Sequence, residues 1–135
     1  MLTPIPLLIV PLAVYNIFAF LTPGLDWAAV LATVSMMSGA QWTITIGDAF
    51  LGFTLFVLLF EVMKSTRISS RSIIDHILSV LVFTLALVEF LLVAPAGTSI
   101  FALMLGIMLL DVIAGFSVSV RVAQRDVSFE SRPTE

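Results

Sequence analysis

Cysteine is absent from this 135-residue chain, so disulfides and thiolate chemistry are closed to it. Basic side chains are scarce: six Lys and Arg in all, and none before Lys64. Charged residues make up 11% of the chain, against about 25% in an ordinary soluble domain. A single histidine, His76, rules out bis-histidine haem ligation within one chain and leaves zinc or copper short of ligands. The acids are scattered and the few bases are clustered, so there is no basic surface for nucleic acid. No glycine-rich phosphate loop occurs; Gly47 and Gly52 flank Asp48 without the required spacing. No nucleophile–base constellation is present either. The chain therefore reads as a non-enzyme with no metal and no resident cofactor.

What it has in abundance is apolar sequence, at 60% of residues. A soluble fold of this size could not bury so much apolar surface, whereas a bilayer can act as its solvent. The chain divides into runs at residues 5–21, 44–63, 73–93 and 100–120. The last three run about 20 residues each, matching a hydrocarbon core about 30 Å thick. The first is short, carries Pro11 inside and Pro4 and Pro6 at its start, and lacks the basic flank of a cleaved signal, so it is expected to stay as a span.

Another apolar stretch, residues 26–38, is too short to cross. Asp26 suits a helix N-cap, Gly39 suits a C-terminal stop, and Trp27 and Trp42 bracket the stretch as interfacial aromatics do. The expectation is a short interfacial helix between spans one and two, with a re-entrant half-helix inside an oligomer as the other reading.

The bases set the orientation. Lys64, Arg67 and Arg71 lie between spans two and three; Arg121, Arg125 and Arg132 follow span four. Basic loops stay on the cytoplasmic side. Four crossings put both clusters on that side and both termini with them. The expected fold class is an all-α membrane protein, an up-down bundle of four transmembrane helices over residues 1–120, followed by a cytoplasmic polar tail over 121–135 that continues span four as a fraying helix. The expected location is a bacterial inner (plasma) membrane.

Ionisable groups at depth cost about 2.5–3.5 kcal/mol on insertion scales and need a reason to be kept. Asp48 stands at the outer start of span two, where free amides and the helix dipole favour an anion. Asp75 follows Ser72 by three residues, like a capping-box partner, and Ser70 is a further cap. Glu61 precedes Lys64 by one turn and is expected to snorkel and pair with it. Glu89 and Asp111 have no such explanation, since no span offers a base. Three outcomes fit them: a hydrogen bond within the bundle, a proton or cation in transit, or a base on another chain. Asn16, Asp48 and Glu89 fall at similar heights in the outer half.

Spacing places Asp75, Ser79, Val82, Ala86 and Glu89 on one face of span three. Met104, Met108, Asp111 and Gly115 share a face of span four, the methionines as packing residues rather than metal ligands. Ala102 and Gly106 form a small-xxx-small pair beside it. Thr98 or Ser99 is expected to cap span four. Phe53, Phe56 and Phe60 make an aromatic stripe against which lipid, or a quinone or carotenoid, could lie. The loops are too short for a soluble active site. The expected role is a non-catalytic accessory or assembly subunit packing against a larger membrane complex or copies of itself; the alternative is a small oligomeric proton- or cation-coupled transporter. The lipid bilayer is the one partner common to both readings.

Overall fold

The computed structural model describes residues 5–66 and 71–130; the side chains of residues 71, 72, 118, 119, 122 and 125–130 fall outside that description. The elements are α1 (Ile9–Leu21), β1 (Val30–Ser35), β2 (Gln41–Thr45), α2 (Ile46–Ser65), α3 (Arg71–Leu92) and α4 (Ser99–Glu130), with a 3-10 turn at Ala94–Ala96 joining α3 to α4.

Three stretches are long and apolar enough to cross a membrane: Ile46–Ser65, Ile73–Leu92 and Ser99–Ser117. Only 17 to 33% of each is buried inside the protein, so the rest needs an apolar solvent. These lengths follow from local signals. Thr45 caps α2: its hydroxyl accepts from the Asp48 N–H at 3.1 Å, and the Asp48 carboxylate accepts from the Thr45 N–H at 3.0 Å. That is a capping box, which satisfies two amides left open at a helix start. Thr98 opens α4 by accepting from the Phe101 N–H at 3.2 Å. α4 then runs on to Glu130 as the expected helical continuation.

α3 and α4 form an antiparallel hairpin with α2 against α4. The inward face of α3 carries Asp75, Ser79, Val82 and Ala86, all buried, with half-buried Glu89 above them. Met104, Met108 and Asp111 of α4 are buried opposite. Two glycines permit close approach. A Cβ on Gly47 would stand 2.5 Å from Ile100 Cδ1 and 3.1 Å from the Trp27 carbonyl oxygen. A Cβ on Gly115 would stand 2.8 Å from His76 Nδ1. The small pair Ala102 and Gly106 is not used in this way: both face outward, and nothing lies within 4 Å of a Cβ on Gly106.

α1 departs from expectation in length. It has 13 residues rather than a full span, and at 1.5 Å per residue it reaches only about 20 Å. Pro11 lies in its first turn, where its missing N–H costs least, instead of kinking the middle. α1 is held at its far side by Tyr15. The Tyr15 hydroxyl donates to Pro95 O at 3.0 Å and lies 2.8 Å from Thr98 Oγ1. Its ring stacks on Trp27 at 5.0 Å and meets Phe101 edge-on at 4.9 Å. One fully buried tyrosine thus ties α1, the Trp27 turn, the α3–α4 connection and α4 together.

The interfacial helix expected over 26–38 does not form. Asp26 caps a turn instead, accepting from the Ala28 N–H at 3.0 Å, and the chain then enters an antiparallel β-hairpin. Gly39 serves the hairpin turn with φ +89, not a helix end. The physical reason lies in composition: Val30, Thr33, Val34, Thr43, Ile44 and Thr45 are β-branched and pay less in an extended chain than in a helix.

The glycine contacts give a paired expectation. Gly47→Val, pressed against the Trp27 carbonyl and Ile100, lowers stability by about 1–3 kcal/mol. Gly52→Ala, which meets nothing within 4 Å, leaves it unchanged. Unfolding of detergent-solubilised protein by denaturant measures both; equal effects would remove the close-approach account.

Candidate functional site

At the end of the bundle where α2 finishes and α3 begins, three carboxyl groups gather around one ammonium. Lys64, in the last turn of α2, does not reach out to solvent; its side chain is 9% exposed. Its Nζ donates to Asp75 Oδ1 on α3 at 3.1 Å and to the Ile5 carbonyl oxygen at 2.6 Å, and stands 3.9 Å from Glu61 Oε2. Two of these are hydrogen bonds and the third is a longer ion pair, so opposite charge and a carbonyl offset much of the cost of withdrawing the ammonium from water.

Glu61 is 2% exposed, so the snorkelling expected for it does not occur. Its reason for staying inside is α1. Glu61 Oε2 accepts from the Leu7 N–H at 2.9 Å, capping the start of α1 from another helix. A carboxylate there satisfies an open amide and meets the positive end of the helix dipole. Lys64 completes the clamp by holding Ile5 O, two residues earlier. Asp75 is buried and bonded to Lys64, and its expected capping partner Ser72 has a side chain outside the described residues.

Ser79, one turn along α3, donates toward Glu61 Oε1 at 3.5 Å and lies on the side of α3 that faces Asp111. Asp111, 5% exposed on α4, lies within electrostatic reach of Glu61, Asp75 and Lys64. Lys64, one residue past the run expected for span two, is the base within that reach. His76 follows Asp75 and turns toward α4, against Phe116 at 6.2 Å and the Gly115 backbone, with Nδ1 buried and without a hydrogen-bond partner among the described residues.

The outer polar residues form a separate, smaller site. Asn16 Nδ2 donates to Glu89 Oε2 at 3.2 Å and to Leu12 O at 2.9 Å. Of the three residues expected at similar heights, two meet; Asp48 is engaged with Thr45 at the head of α2. Near this end a notch of about 170 Å³ is lined by residues including Thr22, Trp27, Pro95 and Thr98. It is smaller than the roughly 300–1,000 Å³ of sites that enclose small molecules. Phe53, Phe56 and Phe60 are exposed on the outer surface of α2. Of the basic residues, Arg121 is exposed, while Arg67, Arg132 and the side chains of Arg71 and Arg125 lie outside the described residues. Among the described residues no group of three or more His, Cys, Asp and Glu could hold a metal ion.

Ser79 and Asp75 were visible in advance as members of one face of α3, and Glu61 and Lys64 as neighbours on α2. Their union with Asp111 was not, because it depends on which helices touch. Chemically, the arrangement can hold α1 in place, and it can take up a proton or small cation where negative charge exceeds positive.

No protein-family model matches the chain, and no characterised protein or solved structure is similar to it. The site is thus read from its geometry, which gives a test. Lys64→Met leaves Asp75 buried without its partner and destabilises the fold by about 3–5 kcal/mol. The double substitution Lys64→Met/Asp75→Asn recovers part of that loss. Denaturant titration in detergent measures the cycle; simple additivity of the two single variants would dissolve the cluster as a unit.

Proposed function

We propose that this is a non-catalytic, four-crossing membrane protein of a bacterial inner membrane, an accessory or assembly subunit that packs against a larger membrane complex or copies of itself. One observation carries the reading. Glu61, Asp75, Glu89 and Asp111 turn inward and meet groups of the same chain, while among the described residues the outward faces of α2, α3 and α4 along the apolar stretches are largely hydrophobic. On α4 that outward face includes Ala102 and Gly106, where a helix of another chain can approach closely.

Four crossings are supported by how α1 is tethered. Its start is held beside Glu61 and Lys64, near the α2–α3 end, and Tyr15 is held to the α3–α4 turn at the other end. With the basic residues on the α2–α3 side, both termini face the cytoplasm. A reporter active only outside the cytoplasm is silent after Glu135 and active when inserted at Ala96; the reverse pattern overturns this topology.

Purification of the tagged chain from native membranes in mild detergent tests the assembly reading. The expected result is a stoichiometric partner or a defined homo-oligomer. Gly106→Ile, which adds bulk to the outward strip and nothing to the interior, lowers recovery of that partner at least several-fold while the chain still inserts. A lone monomer from native membranes would overturn the proposal.

A second reading, a small oligomeric proton- or cation-coupled transporter, is favoured by the charge count of the buried cluster. Glu61, Asp75 and Asp111 surround Lys64 alone, so full ionisation leaves two negative charges uncompensated. Uptake of a proton or cation relieves that cost. Gradient-driven flux into liposomes that Asp111→Asn abolishes would replace the assembly reading with this one.

A further inference from the structure

We propose that the β1–β2 hairpin is a membrane-interface anchor, lying on the outer leaflet with one face against lipid and the other against water. The register sorts its side chains. Ala32 pairs with Ile44 and Val34 with Trp42, which puts these four on one face. Thr33 pairs with Thr43 and Ser35 with Gln41, which puts polar groups on the other. The Ser35 hydroxyl donates to Gln41 Oε1 at 3.1 Å, fixing that side as the hydrogen-bonding face. The hairpin is thus amphipathic with period two, yet its own chain leaves its apolar face largely uncovered: Val34 is 41% and Trp42 54% exposed.

Three observations choose lipid as the occupant. First, the 21 residues from 27 to 47 contain no charged side chain, although Asp26 and Asp48 stand at either end. A surface with no charge and few fixed donors suits a fluid partner better than a specific protein one, where charges set register. Second, the hairpin is rooted at the head of α2: Ile46 N–H donates to Ala29 O at 3.0 Å and Gly47 N–H to Trp27 O at 2.8 Å. It therefore leaves the bundle where a membrane-crossing helix begins, at the level of the headgroups. Third, the end of α1 that leads into the hairpin segment is itself apolar and uncovered, with Phe20 57% and Leu21 77% exposed.

Depth follows from the backbone. A two-stranded sheet has two open edges, and open edges are not tolerated in the hydrocarbon core. In water alone, an isolated hairpin is only marginally stable. The interface resolves both: it supplies water to the edges and the polar face, and apolar contact to Val34 and Trp42. Trp42 meets there the environment in which tryptophan is enriched.

The absence of native cysteine makes the test direct. Single cysteines are placed by Ala32→Cys and Val34→Cys on one face and by Thr33→Cys and Thr43→Cys on the other, in the full chain. Each is labelled with a nitroxide in phosphatidylcholine nanodiscs. Collision with oxygen, which concentrates in lipid, is compared with collision with a water-soluble nickel complex. The oxygen-to-nickel ratio at 32 and 34 is expected to exceed that at 33 and 43 several-fold. Equal nickel access at all four sites would put the hairpin in water and overturn the proposal. Exclusion of both reagents at 34 would mean that protein covers the face, with spin–spin broadening identifying a second copy, and would overturn it equally. Trp42 emission in a Trp27→Phe chain gives an independent reading: quenching by headgroup-level nitroxide lipids supports the anchor, and quenching by aqueous iodide instead overturns it.

Discussion

The fold turns on a buried ammonium. Lys64 sits at the end of an apolar helix, where its stem could carry the charge to water, yet it points inward and is held by Asp75, Ile5 O and, at longer range, Glu61. Taking that charge out of water is costly, and the cost is offset only by well-placed acceptors and opposite charge. The acceptors come from α3 and from the residues before α1, and α2 itself adds an opposite charge at longer range. The placing of three elements is therefore one condition rather than three. Ser79 and Asp111 extend the same condition across to α4.

The opposite end of the bundle is organised by packing and neutral hydrogen bonds. Tyr15 joins four segments with one ring and one hydroxyl, and Trp27, Phe50 and Phe101 close around it. Aromatic contacts of this kind contribute about 0.5–1.5 kcal/mol each beyond the area they bury. The two ends thus differ in what disturbs them. The charged end responds to removal of a partner, because a buried charge is left over. The aromatic end responds to loss of volume, because contacts are lost and nothing is left unpaired.

The long helices were legible because length and apolarity suffice to define them: α2, α3 and the crossing part of α4 begin and end within a few residues of the expected runs. The inward faces of α3 and α4 were legible from helical spacing, and Asp75, Ser79 and Ala86, like Met104, Met108 and Asp111, are buried as one stripe on each. The hairpin was not legible from length, since a short apolar run fits a strand or a helix equally. Its β-branched residues and the turn at Gly39 carried the deciding signal. The charge cluster was hidden for a different reason. Lys64 stands in a polar stretch beside Arg67 and Arg71, so it reads as one more loop base; only the order of helices in space shows that it turns the other way. Asp75, three residues after Ser72, has capping-box spacing, and that spacing says nothing of its bond to Lys64.

The clamp on α1 also has a bearing on synthesis. Leu7 and Ile5 take their partners from residues 54 and 59 positions later in the chain. α1 is made before α2, with an amide and a carbonyl near its start whose partners lie in that later helix. Those groups must wait on water, headgroups or the insertion machinery until α2 has been made and has delivered Glu61 and Lys64. Asp75 and Asp111 arrive later still, so the cluster that clamps α1 is complete only once α3 and α4 have been made.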